Sequence, residues 1–170
     1  MNSKPQCTPA ELEQVMQLYG TTVYRLAYSH LRSAADADDI YQEVFLRYFQ
    51  KRPQFGSEEH RKAWLLRVTV NRVRSFVTSA WFRHTVPLTE QTAFWKPEVR
   101  QLDEALSHLR PGDRGLQHLY YFEELSVREI AALLKRKEST VRTQLTRARA
   151  RLGTIMKGDD HSEKALSSNE

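Results

Sequence analysis

Apolar residues recur every three to four positions along almost the whole chain of 170 residues, whereas the alternation of apolar and polar residues typical of strands is scarce. One such stripe covers residues 12–31 and predicts a helix of several turns. Similar stripes predict helices over residues 34–51 and 58–79, separated by a loop at residues 52–57 that contains proline and glycine. The fold class predicted from this periodicity is all-α.

The helical pattern lapses in one place, at residues 83–97, which include two prolines. We interpret this stretch as an extended linker between two small helical domains, expected at residues 10–82 and 98–157. The polar tail at residues 158–170 is predicted to be disordered. The second domain begins with two further predicted helices, at residues 99–109 and 113–122.

The rest of the second domain is predicted to be a pair of short helices joined by a tight turn. Ser126 and Glu129 have the spacing of a capping box and begin the first helix. The mostly polar residues 135–138 are too few to form another element. Ser139 is placed to cap the second helix, which continues to Leu152. Two short helices with such a turn form a helix-turn-helix.

The second helix of this pair is strongly basic. From Lys135 to Arg151 the chain has seven basic residues and one acidic residue, Glu138. Guanidinium, hydroxyl and amide groups on one exposed helix face suit the phosphates and base edges of a DNA major groove. The alternative is a solvated basic helix on the surface of a bundle. Acidic residues usually intersperse with basic ones on such a surface, and none lies between Ser139 and Leu152, so the sequence favours DNA binding.

Composition excludes several other classes of protein. The single cysteine, Cys7, excludes an internal disulfide and a cysteine-based zinc site, and the six histidines lack the paired spacing of metal ligands. One of them, His30, lies on the first apolar stripe and is expected to be a core residue. We therefore expect no metal and no cofactor. No apolar run reaches the length of a membrane span, and the first residues lack the apolar core of a signal peptide, which predicts a cytoplasmic protein without membrane insertion.

Three blocks of the sequence together resemble one known family. DADDIYQEVFLRYF, at residues 36–49, resembles the polymerase-binding helix of bacterial RNA polymerase sigma factors of the extracytoplasmic-function type. WLLRVTVNRVRS, at residues 64–75, is similar to their promoter-melting helix, and residues 126–152 are similar to their C-terminal DNA-reading unit. The resemblance implies a non-catalytic initiation factor. It would bind RNA polymerase core, read the −35 element of promoter DNA and melt the −10 element.

The resemblance also implies which residues contact each partner. In the helix predicted at residues 34–51, one face carries two carboxylates and an amide together with neighbouring residues. Such a face suits binding to an arginine-rich helix of a partner protein. The alternatives for this face are ordinary solvation and, far less favoured, an acid pair for hydrolysis, which lacks a nucleophile or metal set. The polymerase-binding residues implied are Asp39, Gln42, Glu43, Leu46 and Arg47.

Two further groups of residues are implied to contact DNA. Proteins commonly bind single-stranded DNA through aromatic side chains next to positively charged groups. The resemblance implies that the loop at residues 52–57 receives a flipped base. The alternative for Phe55 is a core aromatic that pins this loop, and Trp64 is expected in the core. The residues implied at the −10 element are Phe55, Arg67, Asn71 and Arg74. Those implied at the −35 element are Ser139, Arg142, Thr143, Thr146, Arg147 and Arg149.

At three positions the chain departs from the family pattern. Lys135 stands where the family usually has glycine, at the end of the first helix of the pair, and a positive φ there would cost a non-glycine residue on the order of 1 kcal/mol. Ser75 stands where aspartate is common, and Leu66 where an aromatic residue is common. The last two changes bear on the −10 sequence preference.

Two other functions fit parts of the sequence. A stand-alone regulator would use the helix-turn-helix as a dimer, but no spare apolar stripe for self-association is apparent. An enzyme acting on nucleic acid would need an active-site constellation, and the sequence offers none. Because many members of the family are held inactive by an anti-sigma protein, the resemblance adds an anti-sigma factor to the candidate partners.

Overall fold

The computed structural model describes residues 7–79 and 104–167, with side chains described as far as Gly158. All regular secondary structure within these residues is helical, and the chain divides into two compact units at residue 90. The prediction of an all-α chain with two helical units is confirmed. The predicted linker, residues 83–97, lies outside the described residues.

The first unit consists of three helices, α1 (Pro9–Leu31), α2 (Ala34–Lys51) and α3 (Glu58–Thr78). Each begins with a hydroxyl cap. Thr8 forms a capping box with Glu11, and Ser33 and Ser57 each accept a hydrogen bond from a backbone N–H of the first turn. The bounds of α2 and α3 lie within one residue of those predicted from the sequence, and α1 begins three residues before the predicted stripe.

The three helices pack around one apolar core, in which the predicted stripes meet. Its buried members are Val15, Val23, Ala27, Leu31, Ala37, Ile40, Val44, Phe45, Tyr48, Leu65 and Val73. Gly20 of α1 lies against the Tyr41 side chain of α2, since a Cβ there would lie 3.0 Å from the Tyr41 hydroxyl oxygen. The missing side chain at this position thus leaves room for the ring of Tyr41. His30 is buried in the core with Nδ1 2.9 Å from the Leu26 carbonyl oxygen, as expected of a packing histidine.

The second unit contains a helical segment at residues 104–107, followed by α4 (Pro111–Tyr121), α5 (Val127–Leu134) and α6 (Glu138–Ser167). α5 begins with the predicted capping box between Ser126 and Glu129. The buried apolar side chains of this unit are Ala105, Leu109, Leu116, Leu119, Ile130, Ala131, Leu133, Val141, Leu145 and Ala148. α5 and α6 form the predicted helix-turn-helix, and α4 packs against both.

Two predictions about α6 differ from the structure. Ser139 does not cap the helix, because α6 begins at Glu138 and the carbonyl of Lys137 already accepts from the N–H of Val141 at 3.1 Å. At the other end, the helical backbone continues from Gly158 to Ser167, where the sequence predicted a disordered tail. An established helix adds one backbone hydrogen bond for each further residue, and Glu163 to Leu166 are good helix formers, so propagation outweighs the polar composition.

Lys135 ends α5 in the left-handed conformation, with φ 53° and ψ 49°. The N–H of Arg136 donates to the carbonyl of Ala131 at 2.9 Å, and the N–H of Lys135 donates to that of Ala132 at 3.4 Å. This pair of bonds is a Schellman motif, in which glycine is the usual residue at the left-handed position. The tight turn of the helix-turn-helix is therefore kept despite the lysine.

Replacing Lys135 by glycine should stabilise the second unit by about 0.5–1 kcal/mol. The change removes the strain of a side chain in the left-handed conformation, which is about 1 kcal/mol. Part of this gain is lost because glycine gives the unfolded chain more conformational entropy. Native-state hydrogen exchange of the α5 and α6 amides measures this change in the unit concerned. Lys135→Ala is the matched control, since it removes the charge but keeps the Cβ, and it should give no such gain. Faster exchange in the glycine variant than in the alanine variant would contradict the assigned conformation.

Candidate functional site

The outer face of α2 carries all five residues predicted to bind polymerase. Asp39, Gln42, Glu43, Leu46 and Arg47 are exposed, while Ile40, Val44, Phe45 and Tyr48 on the opposite face are buried. Leu46 is 56% exposed, so this face presents an apolar side chain among charged and amide groups. Such a mixture suits a protein partner better than solvent alone.

One carboxylate of this face is already engaged within the unit. Oε2 of Glu43 accepts from Nε of Arg72 at 2.6 Å and lies 2.5 Å from its Nη2, which ties α2 to α3. The Glu43 side chain nevertheless remains 46% exposed. Asp39 has no ion pair of this kind among the described residues. A substitution of Glu43 therefore also changes Arg72, whereas a substitution of Asp39 tests the outer face alone.

The loop before α3 is held by an aromatic cluster. The ring of Phe55 is half-buried, with its centroid 6.2 Å from that of Tyr48 in a stacked arrangement and 6.0 Å from that of Trp64 edge-on. The Arg61 guanidinium lies over the same ring, 5.6 Å from its centroid. Phe55 thus pins the loop to the core, which is the alternative raised from the sequence, and Trp64 packs against the core as expected.

A polar network joins α1 to the first turn of α3, next to the same loop. The Tyr19 hydroxyl donates to Oε2 of Glu58 at 2.7 Å, and Arg61 donates to Oε1 of Glu58 at 2.7 Å. Burial, together with the bond to Glu58, raises the pKa of Tyr19 to about 12. Because folding raises this pKa above its ordinary value of 10, the stabilisation is complete below pH 10 and is lost as the pH rises towards 12.

Three of the four residues predicted at the −10 element lie along one side of α3, and the fourth, Phe55, lies in the loop before it. Arg67 and Asn71 are exposed and one turn apart, and Arg74 continues this side while being partly buried. Ser75 is exposed and its hydroxyl donates to the Asn71 carbonyl at 3.1 Å. Leu66 is instead 1% exposed and belongs to the core, so the departure at that position lies away from this side of the helix.

The six residues predicted at the −35 element are all exposed on the first four turns of α6: Ser139, Arg142, Thr143, Thr146, Arg147 and Arg149. The hydroxyls of Thr143 and Thr146 donate to the carbonyls of Ser139 and Arg142 at 2.8 and 2.9 Å. Their protons are therefore used within the helix. Both threonines are exposed, and their methyl groups and acceptor oxygens suit contact with the thymine methyl group and with base donors.

Contacts from α4 and from the turn hold α6 in place. Nε2 of Gln117 donates to the carbonyl of Leu145 at 3.3 Å in the interior, and Nη1 of Arg136 donates to Oε1 of Gln144 at 2.8 Å at the surface. On the α4 side, the Arg149 guanidinium lies over the Tyr121 ring, 5.7 Å from its centroid. The helix that presents the basic face therefore has contacts with both α4 and the turn.

The described part of the chain offers no group of three or more His, Cys, Asp or Glu side chains arranged to hold a metal ion. Among the helices in the described ranges, none is both long and apolar enough to cross a membrane.

Two family descriptions match the chain in the order of its two units. Residues 15–83 match sigma-70 region 2, and residues 99–152 match sigma-70 region 4. The first match contains the helix faces formed by α2 and α3, and the second contains the helix-turn-helix. The chain therefore belongs to the sigma-70 family of RNA polymerase sigma factors, of the extracytoplasmic-function type. Its function is to direct transcription initiation.

Individual relatives agree with this assignment. The chain is 30% identical over 144 residues to a probable RNA polymerase sigma factor, RfaY, of Xanthomonas campestris; the match covers 76% of this chain and 36% of that protein. It is 27% identical over 158 residues to the ECF RNA polymerase sigma factor SigW of Bacillus subtilis, covering 81% and 84%. The fold is similar, with a TM-score of 0.70 and 20% identity, to sigma factor RpoE in complex with the anti-sigma factor NepR from Bartonella quintana, covering 85% and 96%.

Replacing Phe55 by alanine should destabilise the first unit by about 1–2 kcal/mol, because it removes a half-buried ring from the contacts with Tyr48 and Trp64. Gln54→Ala is the matched control at the exposed neighbouring position and should change stability by less than about 0.5 kcal/mol. Hydrogen exchange of the α2 and α3 amides reports the change. Equal exchange in the two variants would mean that the ring does not pin the loop.

Proposed function

We propose that this sigma factor docks on RNA polymerase core through the outer face of α2, opens the −10 region with α3 and the preceding loop, and reads the −35 duplex with α6. It takes no catalytic role of its own and acts in the cytoplasm. The observation that carries the proposal is that each unit presents a charged helix face opposite its buried stripe, in the order of the two matched sigma regions.

The chemistry of the α2 face supports docking on a basic protein surface. Asp39 and Glu43 are one turn apart, and charge-assisted hydrogen bonds from arginines of a partner helix would engage both carboxylates. The exposed Leu46 one turn further supplies an apolar anchor. Gln42 and Arg47 extend the polar contacts on the two sides of this line. Docking would compete with Arg72 for Glu43 at low cost, since exposed ion pairs contribute about 0–1 kcal/mol.

The chemistry of the α3 surface supports contact with a separated strand. Arg67, Asn71 and Arg74 offer positive charge and an amide along one side of the helix, and an aromatic loop lies before its N-terminus. Single strands are held by such combinations of cationic and aromatic groups. We assign Phe55 two roles: its contacts with Tyr48 and Trp64 fix the loop, and its exposed part would contact an extruded base.

The chemistry of α6 supports reading of a duplex. Arg142 lies in the second turn, near the helix N-terminus that enters a major groove, and can bond bidentately to guanine. Thr143 and Thr146 would contact thymine methyl groups, with Ser139 and Arg147 beside them. Arg149 would hold a phosphate, which fixes register without specifying sequence.

An anti-sigma protein is a further partner that we propose. A protein of similar fold, sigma factor RpoE, forms a complex with the anti-sigma factor NepR. The faces assigned here to polymerase and DNA are exposed in the present chain, so an inhibitor that covered either of them would block initiation. A stand-alone regulator is not favoured, because it would leave the region 2 unit and its α2 face without a role.

Asp39→Lys should weaken binding to core polymerase by about tenfold or more, because it places a positive charge opposite the proposed arginines. Glu13→Lys, on α1, makes the same charge change at an exposed carboxylate outside the α2 face and should leave binding unchanged. Competition of each variant with the labelled parent protein for core polymerase gives the two affinities. Equal affinities for the two lysine variants would show that α2 is not the docking face.

A further inference from the structure

Arg149 and Tyr121 form a contact that neither the family match nor the recognition-helix pattern assigns to a function. Tyr121 is the last residue of α4 and is 49% exposed. The Arg149 guanidinium lies over its ring, 5.7 Å from the centroid, and the ring itself packs edge-on against Tyr120 with centroids 4.9 Å apart. The arginine thus rests on a ring that is itself supported.

If α6 enters the major groove of DNA, the position of Arg149 on the helix places this residue at the border of the groove. It lies two turns after Arg142, about 10 Å further along the helix axis. Because the N-terminal residues of a recognition helix contact base edges, a residue two turns later comes level with the phosphates that border the groove. Tyr121 lies beside it on a different helix, outside the face that reads bases.

We infer that Tyr121 is a positioning residue for phosphate recognition, holding the Arg149 guanidinium in the orientation in which it contacts the DNA backbone. This inference rests on the proposed reading of the −35 duplex by α6. The ring face attracts the cation and restricts the rotamers of a long side chain, so less freedom is lost when DNA binds. The edge of the guanidinium remains open to two phosphate oxygens, which match its paired N–H groups.

The effect follows from the size of a cation–π contact. At an exposed site such a contact favours one orientation of the Arg149 side chain by about two- to fivefold, and its loss should weaken DNA binding by at most that factor. A phosphate contact has a second signature, since each one adds about 0.9 to the slope of log K against log salt concentration. A residue that acts through Arg149 should therefore lose its whole influence once Arg149 is removed.

The test uses the full chain bound to its RNA polymerase core and a promoter duplex selected from random sequence by that complex. Tyr121→Leu should weaken binding two- to fivefold, while Tyr121→Phe, which keeps the ring, should bind as the parent does. Arg149→Ala should weaken binding and lower the salt slope by about one. In the Arg149→Ala background, Tyr121→Leu should cause no further loss.

Phe122→Leu is the control, since this adjacent aromatic is 61% exposed and stacks on His118 instead of on Arg149.

Several results would overturn the inference. Equal losses from Tyr121→Phe and Tyr121→Leu would assign the effect to the hydroxyl, and an undiminished loss in the Arg149→Ala background would separate Tyr121 from the arginine. A loss from Phe122→Leu as large as that from Tyr121→Leu would point to general destabilisation. If Arg149→Ala weakens binding and Tyr121→Leu does not, the positioning role fails while the −35 assignment stands. If the parent complex selects no sequence, the proposed function itself fails.

Discussion

Burial of one apolar stripe per helix is the constraint on which the rest of this protein depends. Each unit is small, and small domains bury a low fraction of their surface, so nearly every inward position must be apolar. α2 shows the consequence, with Ile40, Val44 and Tyr48 committed to the core. The opposite face of α2 does not pack within the unit, and Asp39 and Leu46 are exposed there. The contacts that we propose with polymerase and DNA therefore lie on the outer faces of helices whose inner faces form the core.

The conformation at the helix ends determines the orientation of each helix relative to the next one in the same unit. Three helices of the described units end in the left-handed conformation at a cationic residue, namely Arg32, Arg52 and Lys135. A side chain at such a position costs roughly 1 kcal/mol compared with glycine. The positive charge offsets part of this cost by lying near the negative end of the helix dipole. The connections stay tight enough to fix α2 against α1 and α6 against α5.

Local patterns accounted for most of the fold. The capping box at Ser126 and Glu129 and the apolar stripe of α2 are visible in the sequence because their physics involves residues three or four positions apart. The prediction that Ser139 caps α6 was wrong, because the first residue of α6 depends on the length of the preceding turn. The length of that turn depends on the left-handed backbone of Lys135, which spacing along the sequence does not reveal.

The details of the candidate sites depend on contacts between helices, which spacing within one helix does not reveal. The bond between Glu43 and Arg72 joins residues 29 positions apart, and the stacking of Arg149 on Tyr121 joins α6 to α4. The sequence could suggest which residues are exposed on each helix. It could not suggest that one acid of the α2 face has an internal partner, or that a tyrosine outside the recognition helix supports one of its arginines.

Reconstituted transcription tests the central claim most directly. The full chain and its RNA polymerase core would be incubated with a library of genomic fragments, and the 5′ ends of the transcripts would be mapped. We predict start sites that appear only when both components are present, and that share an upstream element of two parts, one read as duplex and one opened. Sequence-specific DNA binding by the chain alone, with no association with core and no chain-dependent start sites, would contradict the assignment as an initiation factor.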